Sequence, residues 1–104
     1  MKEILAEPYY PLAEVKRLAV SGSVFFARRK DGKADPERMG LTKASACAVI
    51  AALAPRDFDL TSYDGPSPAD VYKVPMQRNP NACLYIKLQI SDEGDLLVVI
   101  SFHI

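Results

Sequence analysis

Residues 83–103 read CLYIKLQISDEGDLLVVISFH and contain the strongest structural signal in the chain. Apolar and polar residues alternate over Cys83–Ile90 and again over residues 96–103, and turn-forming residues separate the two runs. Strict alternation is typical of strands with one buried face, and a short polar segment between two such strands forms a turn. The pattern therefore predicts an antiparallel hairpin that ends at His103, the only histidine in the chain.

The same alternation predicts how the two strands pair, because a shift of one residue would turn every apolar side chain to the wrong face. The expected pairs, with the turn centred on Glu93, are Ile90 with Leu96, Ile86 with Ile100, Leu84 with Phe102, Tyr85 with Ser101, Lys87 with Val99, and Cys83 with His103. The polar face of the hairpin then holds Tyr85, Lys87, Ser101 and His103.

Two helices are predicted upstream. Pro11 is a suitable first residue for a helix that Gly22 ends, and the apolar residues between them recur at helical spacing. Thr42 is the expected N-cap of a second helix, which is apolar on nearly all sides over residues 44–53 and should be buried. The proline at position 55 ends it.

Short strands and turns fill the rest of the chain. Residues 23–28 are aromatic and β-branched, which predicts a strand, and Asp35-Pro36 opens a short turn that Gly40 closes. Residues 59–68 are rich in turn formers and predict a loop, and residues 69–76 predict another strand. The predicted fold class is α+β, with two to three helices packed on a mainly antiparallel sheet.

The length of 104 residues, with 49% hydrophobic and 25% charged residues, fits a single globular domain over residues 1–104. We expect residues 1–10 to form a loosely ordered arm. No apolar run is long enough for a signal peptide or a membrane span, so we expect a cytoplasmic protein with no membrane partner. Cys47 and Cys83 lie in apolar runs, which favours reduced, buried thiols, and we expect no metal and no cofactor.

The predicted polar face offers groups for proton transfer. An imidazole, a phenol and an ammonium on one rigid surface supply a base, a hydrogen-bond donor and a positive charge, which are the components of metal-free RNA cleavage. The alternative is that these residues are simply the solvated side of a hairpin. The net charge of zero gives no general argument for a nucleic-acid partner, although Arg28, Arg29, Lys30 and Lys33 form a basic segment.

Short motifs spread along nearly the whole chain carry a resemblance. They are Leu12-x-x-Val15-Lys16-x-Leu18 with Gly22-x-Val24, Met39-Gly40-Leu41, Ala48-Val49-Ile50-x-x-Leu53, Arg56-Asp57-Phe58, Asp70-Val71-Tyr72, Leu84-Tyr85-Ile86-Lys87, and Leu97-x-Val99-Ile100-Ser101-Phe102. In this order and spacing they resemble the MqsR family of bacterial toxins. The resemblance implies a RelE-like fold, cleavage of mRNA as an mRNA interferase, and a cognate protein antitoxin.

The resemblance also implies roles for single residues. Tyr85 matches the catalytic tyrosine of the family, and Lys87 matches the lysine two positions later. The family's Ser-Phe-Lys motif, whose lysine is catalytic, is Ser101-Phe102-His103 here, which makes His103 the expected base. From the residues of the chain rather than from the resemblance, we expect RNA to be bound by Tyr72, which could stack on a base, and by the basic side chains of Lys73, Arg78, Arg28 and Arg29.

Two positions depart from the family pattern. A functional lysine that follows the Asp-Phe motif is absent, since Asp59-Leu60 follow Phe58, and a catalytic glutamine is replaced where Pro68-Ala69 precede Asp70. The sequence therefore leaves two interpretations. One is an endoribonuclease toxin, and the other is a degenerate RelE-like domain that binds a protein partner or RNA without cleavage.

Overall fold

A computed structural model describes the backbone of residues 2–3 and all of residues 7–76 and 81–104. The helices are α1 (Leu12–Ser21) and α2 (Lys43–Ala51), and short 3-10 turns cover Pro36–Met39 and Pro55–Asp57. The strands are β1 (Lys2–Glu3), β2 (Val24–Phe26), β3 (Phe58–Ser62), β4 (Ala69–Pro75), β5 (Cys83–Ile90) and β6 (Leu97–His103). No helix in these described ranges has both the length and the apolar character that crossing a membrane requires.

The strands form one mixed sheet in the order β1-β3-β4-β5-β6-β2. All neighbouring strands are antiparallel except β2, which lies parallel to β6 at one edge. The α1 and α2 helices pack on one face, and this confirms the predicted α+β class.

The helix boundaries follow the local signals in the sequence. The α1 helix starts after Pro11 and ends at Gly22, which adopts a left-handed conformation with φ of 76° and donates its N–H to the last carbonyls. Thr42 accepts a hydrogen bond from the Ser45 N–H at the start of α2, as expected for an N-cap. Asp35 caps the short turn that follows it in the same way, and Gly40 ends that turn.

The hairpin forms as predicted, but the predicted pairing is wrong. Tyr85 lies opposite His103 and Lys87 opposite Ser101, whereas Ile90 lies opposite Leu97, with a β-bulge between Lys87 and Leu88. A bulge places an extra residue on one strand, so alternation alone cannot give the register on both sides of it. Tyr85, Lys87, Ser101 and His103 still lie on the same side of the sheet. The observed pairing near His103 is shifted from the predicted one by an even number of residues, which keeps each side chain on its predicted side.

Three further expectations need correction. Residues 59–68 are not all loop, since β3 extends through Ser62, and its Thr61 and Ser62 side chains are buried. The α2 helix is not buried all round, because only Ala46, Cys47 and Ile50 among its residues are buried. Cys83 is a free thiol but is exposed at the start of β5, whereas Cys47 is buried.

The described part of the N-terminal segment is attached to the sheet. Lys2–Glu3 pair with β3, and the N–H groups of Tyr9 and Tyr10 donate to the two carboxylate oxygens of Asp70 at 3.0 and 2.8 Å. Asp70 is fully buried and also accepts from the Thr61 hydroxyl at 2.6 Å. Three donors on one buried carboxylate offset the cost of removing its charge from water.

Candidate active site

The face of the sheet opposite the helices holds the sequence-predicted catalytic residues. The β5 strand contributes Tyr85 and Lys87, and β6 contributes Ser101 and His103 as their direct cross-strand partners. Lys73 on β4 lies opposite Tyr85 on its other side. Side chains that are directly opposite in antiparallel strands lie within contact range of each other. The structure thus brings Tyr85, Lys87 and His103 together on the polar face, and Lys73 of β4 extends this face beyond the hairpin.

Tyr85 and His103 form the centre of the polar face. Their rings are stacked, with centroids 5.2 Å apart and planes inclined by 29°. Burial raises the pKa of the Tyr85 phenol, and the nearby charges of Lys73 and Arg29 counteract part of this increase. The phenol therefore keeps its proton at neutral pH and can donate a hydrogen bond.

The contact made by one His103 nitrogen leaves the other as a base. His103 Nδ1 lies 3.1 Å from an oxygen of Ile104. An oxygen of this kind only accepts, so the contact favours the tautomer with the proton on Nδ1, in which Nε2 of the neutral ring is unprotonated. The imidazole is thus presented with one nitrogen able to take up a proton.

Arg29 brings a third positive charge to the polar face, in addition to those of Lys87 and Lys73. Its Nη1 donates to Ser101 Oγ at 3.0 Å and to the Ile100 carbonyl at 3.2 Å. Its Nη2 donates to Asp31 at 3.0 Å. These contacts hold the Arg29 guanidinium beside β6, where its partner Ser101 lies opposite Lys87.

Comparison of the sequence with known protein families identifies the family of this chain. The family model for the MqsR toxin, described as motility quorum-sensing regulator, toxin of MqsA, matches residues 7–104. The chain belongs to the MqsR toxin family. Membership implies a toxin of a toxin–antitoxin system, with an antitoxin as its partner. A search of the curated proteins found no matching relative.

The two positions that depart from the MqsR pattern carry no reactive group in the structure. Leu60 is half-buried on β3, and Ala69 is buried at the start of β4. Asp59, which precedes Leu60, forms an ion pair of 3.5 Å with Lys73. Lys73 on β4 therefore supplies a positive charge next to Tyr85, and Asp59 neutralises part of that charge.

One expected RNA-binding residue, Tyr72, is buried and cannot contact RNA. It pairs with Ile86, faces the helices and is fully buried in the core, so the expectation that it stacks on a base is wrong. Its alternation with Lys73 explains the error: adjacent residues of a strand point to opposite faces, and Lys73 occupies the polar one. A tyrosine in a half-buried strand gives no sequence signal for the face it takes.

Arg28, unlike Arg29, forms no hydrogen bond with the described residues of the polar face. Arg28 is exposed and lines a depression of about 380 Å³ together with Arg29, Asp35 and Glu37. Arg78 lies outside the described residues. Within the described ranges, no group of three or more His, Cys, Asp or Glu side chains could hold a metal ion.

Another cavity lies in the helical layer. It has a volume of about 800 Å³ and is formed mainly by small apolar residues of α1 and α2, and Lys43 is the one charged residue among the described residues that line it. Among its described lining residues, Lys43 and Cys47 carry the groups capable of proton transfer, and burial raises the pKa of the Cys47 thiol. A smaller cavity of about 350 Å³ adjoins His103, and the sequence did not predict it.

Proposed function

We propose that the chain is an endoribonuclease toxin that cleaves single-stranded mRNA without a metal ion, inhibits growth, and is neutralised by a protein antitoxin. The observation that carries this proposal is the stacked pair of Tyr85 and His103 on an open sheet face next to cationic side chains. Membership of the MqsR toxin family supports the toxin role.

The proposed reaction uses these side chains for proton transfer. His103 Nε2 takes the proton of a ribose 2′-hydroxyl, and the oxygen attacks the adjacent phosphorus. The bond from phosphorus to the 5′-oxygen breaks, and the Tyr85 phenol protonates that leaving oxygen. The products are a 2′,3′-cyclic phosphate and a 5′-hydroxyl, and exchange with water restores the protons of the two side chains.

The cations of the polar face would stabilise the charge that develops on the phosphoryl oxygens. Lys87 lies opposite Ser101, and Arg29 is hydrogen-bonded to the same serine, so both approach the phosphate from one side of the stacked pair. Lys73 approaches from the other side of Tyr85. Preorganised charges of this kind are usually a large part of catalysis in acyl and phosphoryl transfer.

The direct experiment is incubation of purified protein with a mixed-sequence RNA in the presence of EDTA, followed by mapping of both product ends. The proposal predicts 2′,3′-cyclic phosphate and 5′-hydroxyl ends. An otherwise identical RNA with a 2′-deoxyribose at the cleaved position is the control and should stay intact, because it lacks the attacking oxygen. Intact RNA under all conditions, or 3′-hydroxyl ends, would contradict the proposal.

The alternative function is a binding module that contacts a protein partner or RNA without cutting. Leu60 and Ala69 favour it, because they occupy positions where the family has a functional lysine and a glutamine. The same experiment separates the two functions: RNA that is retained by the protein on a filter but remains uncut supports the binding module.

A further inference from the structure

We propose that the cavity beside His103 binds one RNA nucleotide next to the cleaved dinucleotide, with Lys33 and Arg38 holding its phosphate. This inference rests on the proposed function and adds a specific substrate contact to it. The cavity has a volume of about 350 Å³ and is lined by the turn at Asp31–Lys33, by the end of the 3-10 turn at Arg38 and Met39, and by residues 102–104. Small-molecule sites commonly begin at about 300 Å³.

His103 belongs both to the cavity and to the stacked pair. Its ring lies against Tyr85 on the polar face, and the same residue lines the cavity at the end of β6. An RNA strand whose cleaved phosphate lies at His103 therefore passes directly from the polar face into the cavity. The first nucleotide beyond the cleaved dinucleotide is the one positioned to enter.

The charges of the cavity suit a phosphate. Lys33 is exposed and forms no ion pair with the acidic side chains of residues 7–76 and 81–104. Arg38 is held in place by a hydrogen bond from Nη1 to the Asp31 carbonyl oxygen. The acidic side chain in the lining, Asp31, is already engaged: it accepts from the Lys33 N–H and from Arg29, both at 3.0 Å.

Two backbone features position the turn that lines the cavity. Gly32 has φ of +69°, and a Cβ at this position would collide with the Arg38 guanidinium. The Phe102 N–H donates to the Lys33 carbonyl at 2.6 Å, which joins the turn to β6 directly beside His103. The backbone of Lys33 is thus held next to the strand that carries His103. The half-buried Met39 gives the cavity an apolar wall suited to a base.

The experiment compares wild type, Lys33→Ala and the matched control Lys30→Ala, which removes an exposed lysine of the same segment that does not line the cavity. The substrates are a dinucleotide and two trinucleotides, one extended on the 5′ side and one on the 3′ side. One of the two extensions should increase kcat/KM for wild type and Lys30→Ala by roughly tenfold, as a hydrogen bond to a charged group contributes. Lys33→Ala should lose this increase and cleave the dinucleotide as wild type does.

Binding provides a second readout that does not depend on cleavage. A 2′-O-methyl hexanucleotide lacks the attacking hydroxyl, and its affinity is measured by fluorescence anisotropy over a range of salt concentrations. Lys33→Ala should lower the slope of log affinity against log salt by about 0.7, the value for one lost phosphate contact on a single strand.

The results of these experiments test the role of the cavity independently of the proposed function. An equal gain from the extra nucleotide in all three proteins, or an equal loss of affinity in Lys30→Ala and Lys33→Ala, would overturn the inference while leaving RNA cleavage intact. If wild type cuts no substrate, the proposed function fails, and the salt slopes alone decide whether the cavity binds a phosphate.

Discussion

The Arg29 guanidinium donates to Ser101 Oγ at 3.0 Å, and this bond links two residues that are 72 positions apart in sequence. It brings Arg29, a member of the basic segment after β2, to Ser101 on the polar face. Within that segment, Arg29 rather than Arg28 is therefore the arginine placed beside Lys87.

Replacement of Arg29 by alanine should reduce RNA cleavage far more than stability. The ion pair of Arg29 with Asp31 is more than one-third exposed on both sides and so contributes little to folding. Loss of the charge near the phosphate should lower kcat/KM by roughly tenfold or more. Arg28→Ala is the matched control and should cleave like wild type, and equal losses in the two variants would contradict the assignment.

The Tyr85 phenol should titrate above the ordinary range for tyrosine. Burial favours its neutral form, so its pKa is raised, and the proton should remain in place until the pH exceeds about 10. The difference in tyrosinate absorbance between wild type and Tyr85→Phe, recorded against pH, gives the titration of this residue. A midpoint below about 10 would show that the charges of Lys73 and Arg29 outweigh burial.

Tyr72→Phe should leave RNA cleavage unchanged and stabilise the fold. The Tyr72 hydroxyl is fully buried and has no hydrogen-bond partner among the described residues, while its ring packs on Phe58 with centroids 5.7 Å apart. Phenylalanine keeps the ring and removes the unpaired hydroxyl, so the free energy of unfolding should increase by about 1 kcal/mol. Urea denaturation measures the change, and a decrease of similar size would mean that the hydroxyl has a partner in solution.

Asp70→Asn should destabilise the protein by about 2–3 kcal/mol, because a charged acceptor of three hydrogen bonds is replaced by a group that also donates. Hydrogen exchange of the Tyr9 and Tyr10 amides should become faster, since both amides donate to this carboxylate. Unchanged exchange at the two amides would show that other contacts hold the segment.

Alkaline pH should destabilise the fold through Tyr10. Burial and nearby acidic groups raise the pKa of Tyr10 to about 12, and its hydroxyl donates to the Pro68 carbonyl at 2.7 Å. A group with a raised pKa in the folded state stabilises it fully below the unfolded value, near 10, and this contribution disappears as the pH rises towards 12. Urea denaturation of Tyr10→Phe should show a weaker decrease in stability over this interval than wild type, and identical slopes would contradict the assignment.

The sequence predicts those parts of the fold that depend on local signals. Pro11, Gly22 and Thr42 act within a few residues of their own position, and the boundaries of α1 and the start of α2 follow from them. Alternation in β5 likewise places Tyr85 and Lys87 on one face, because the side chains of a strand repeat with a period of two.

The remaining features depend on contacts between distant residues. The bulge between Lys87 and Leu88 changes the register without any glycine or proline to mark it. The polar side chains of Thr61 and Ser62 suggest a loop, yet Thr61 is buried because Asp70 accepts its hydroxyl hydrogen. The bond between Arg29 and Ser101 and the cavity beside His103 both join segments that only the tertiary fold brings together.

The most direct test of the account is the single-turnover rate of RNA cleavage by His103→Ala, compared with wild type and with Gln89→Ala, which changes a half-buried residue on the same face of β5. Removal of a general base should lower the rate by about 10²–10⁴-fold, while Gln89→Ala should retain the wild-type rate. A His103→Ala protein that cleaves RNA within about threefold of the wild-type rate would contradict the assignment of His103 as the base.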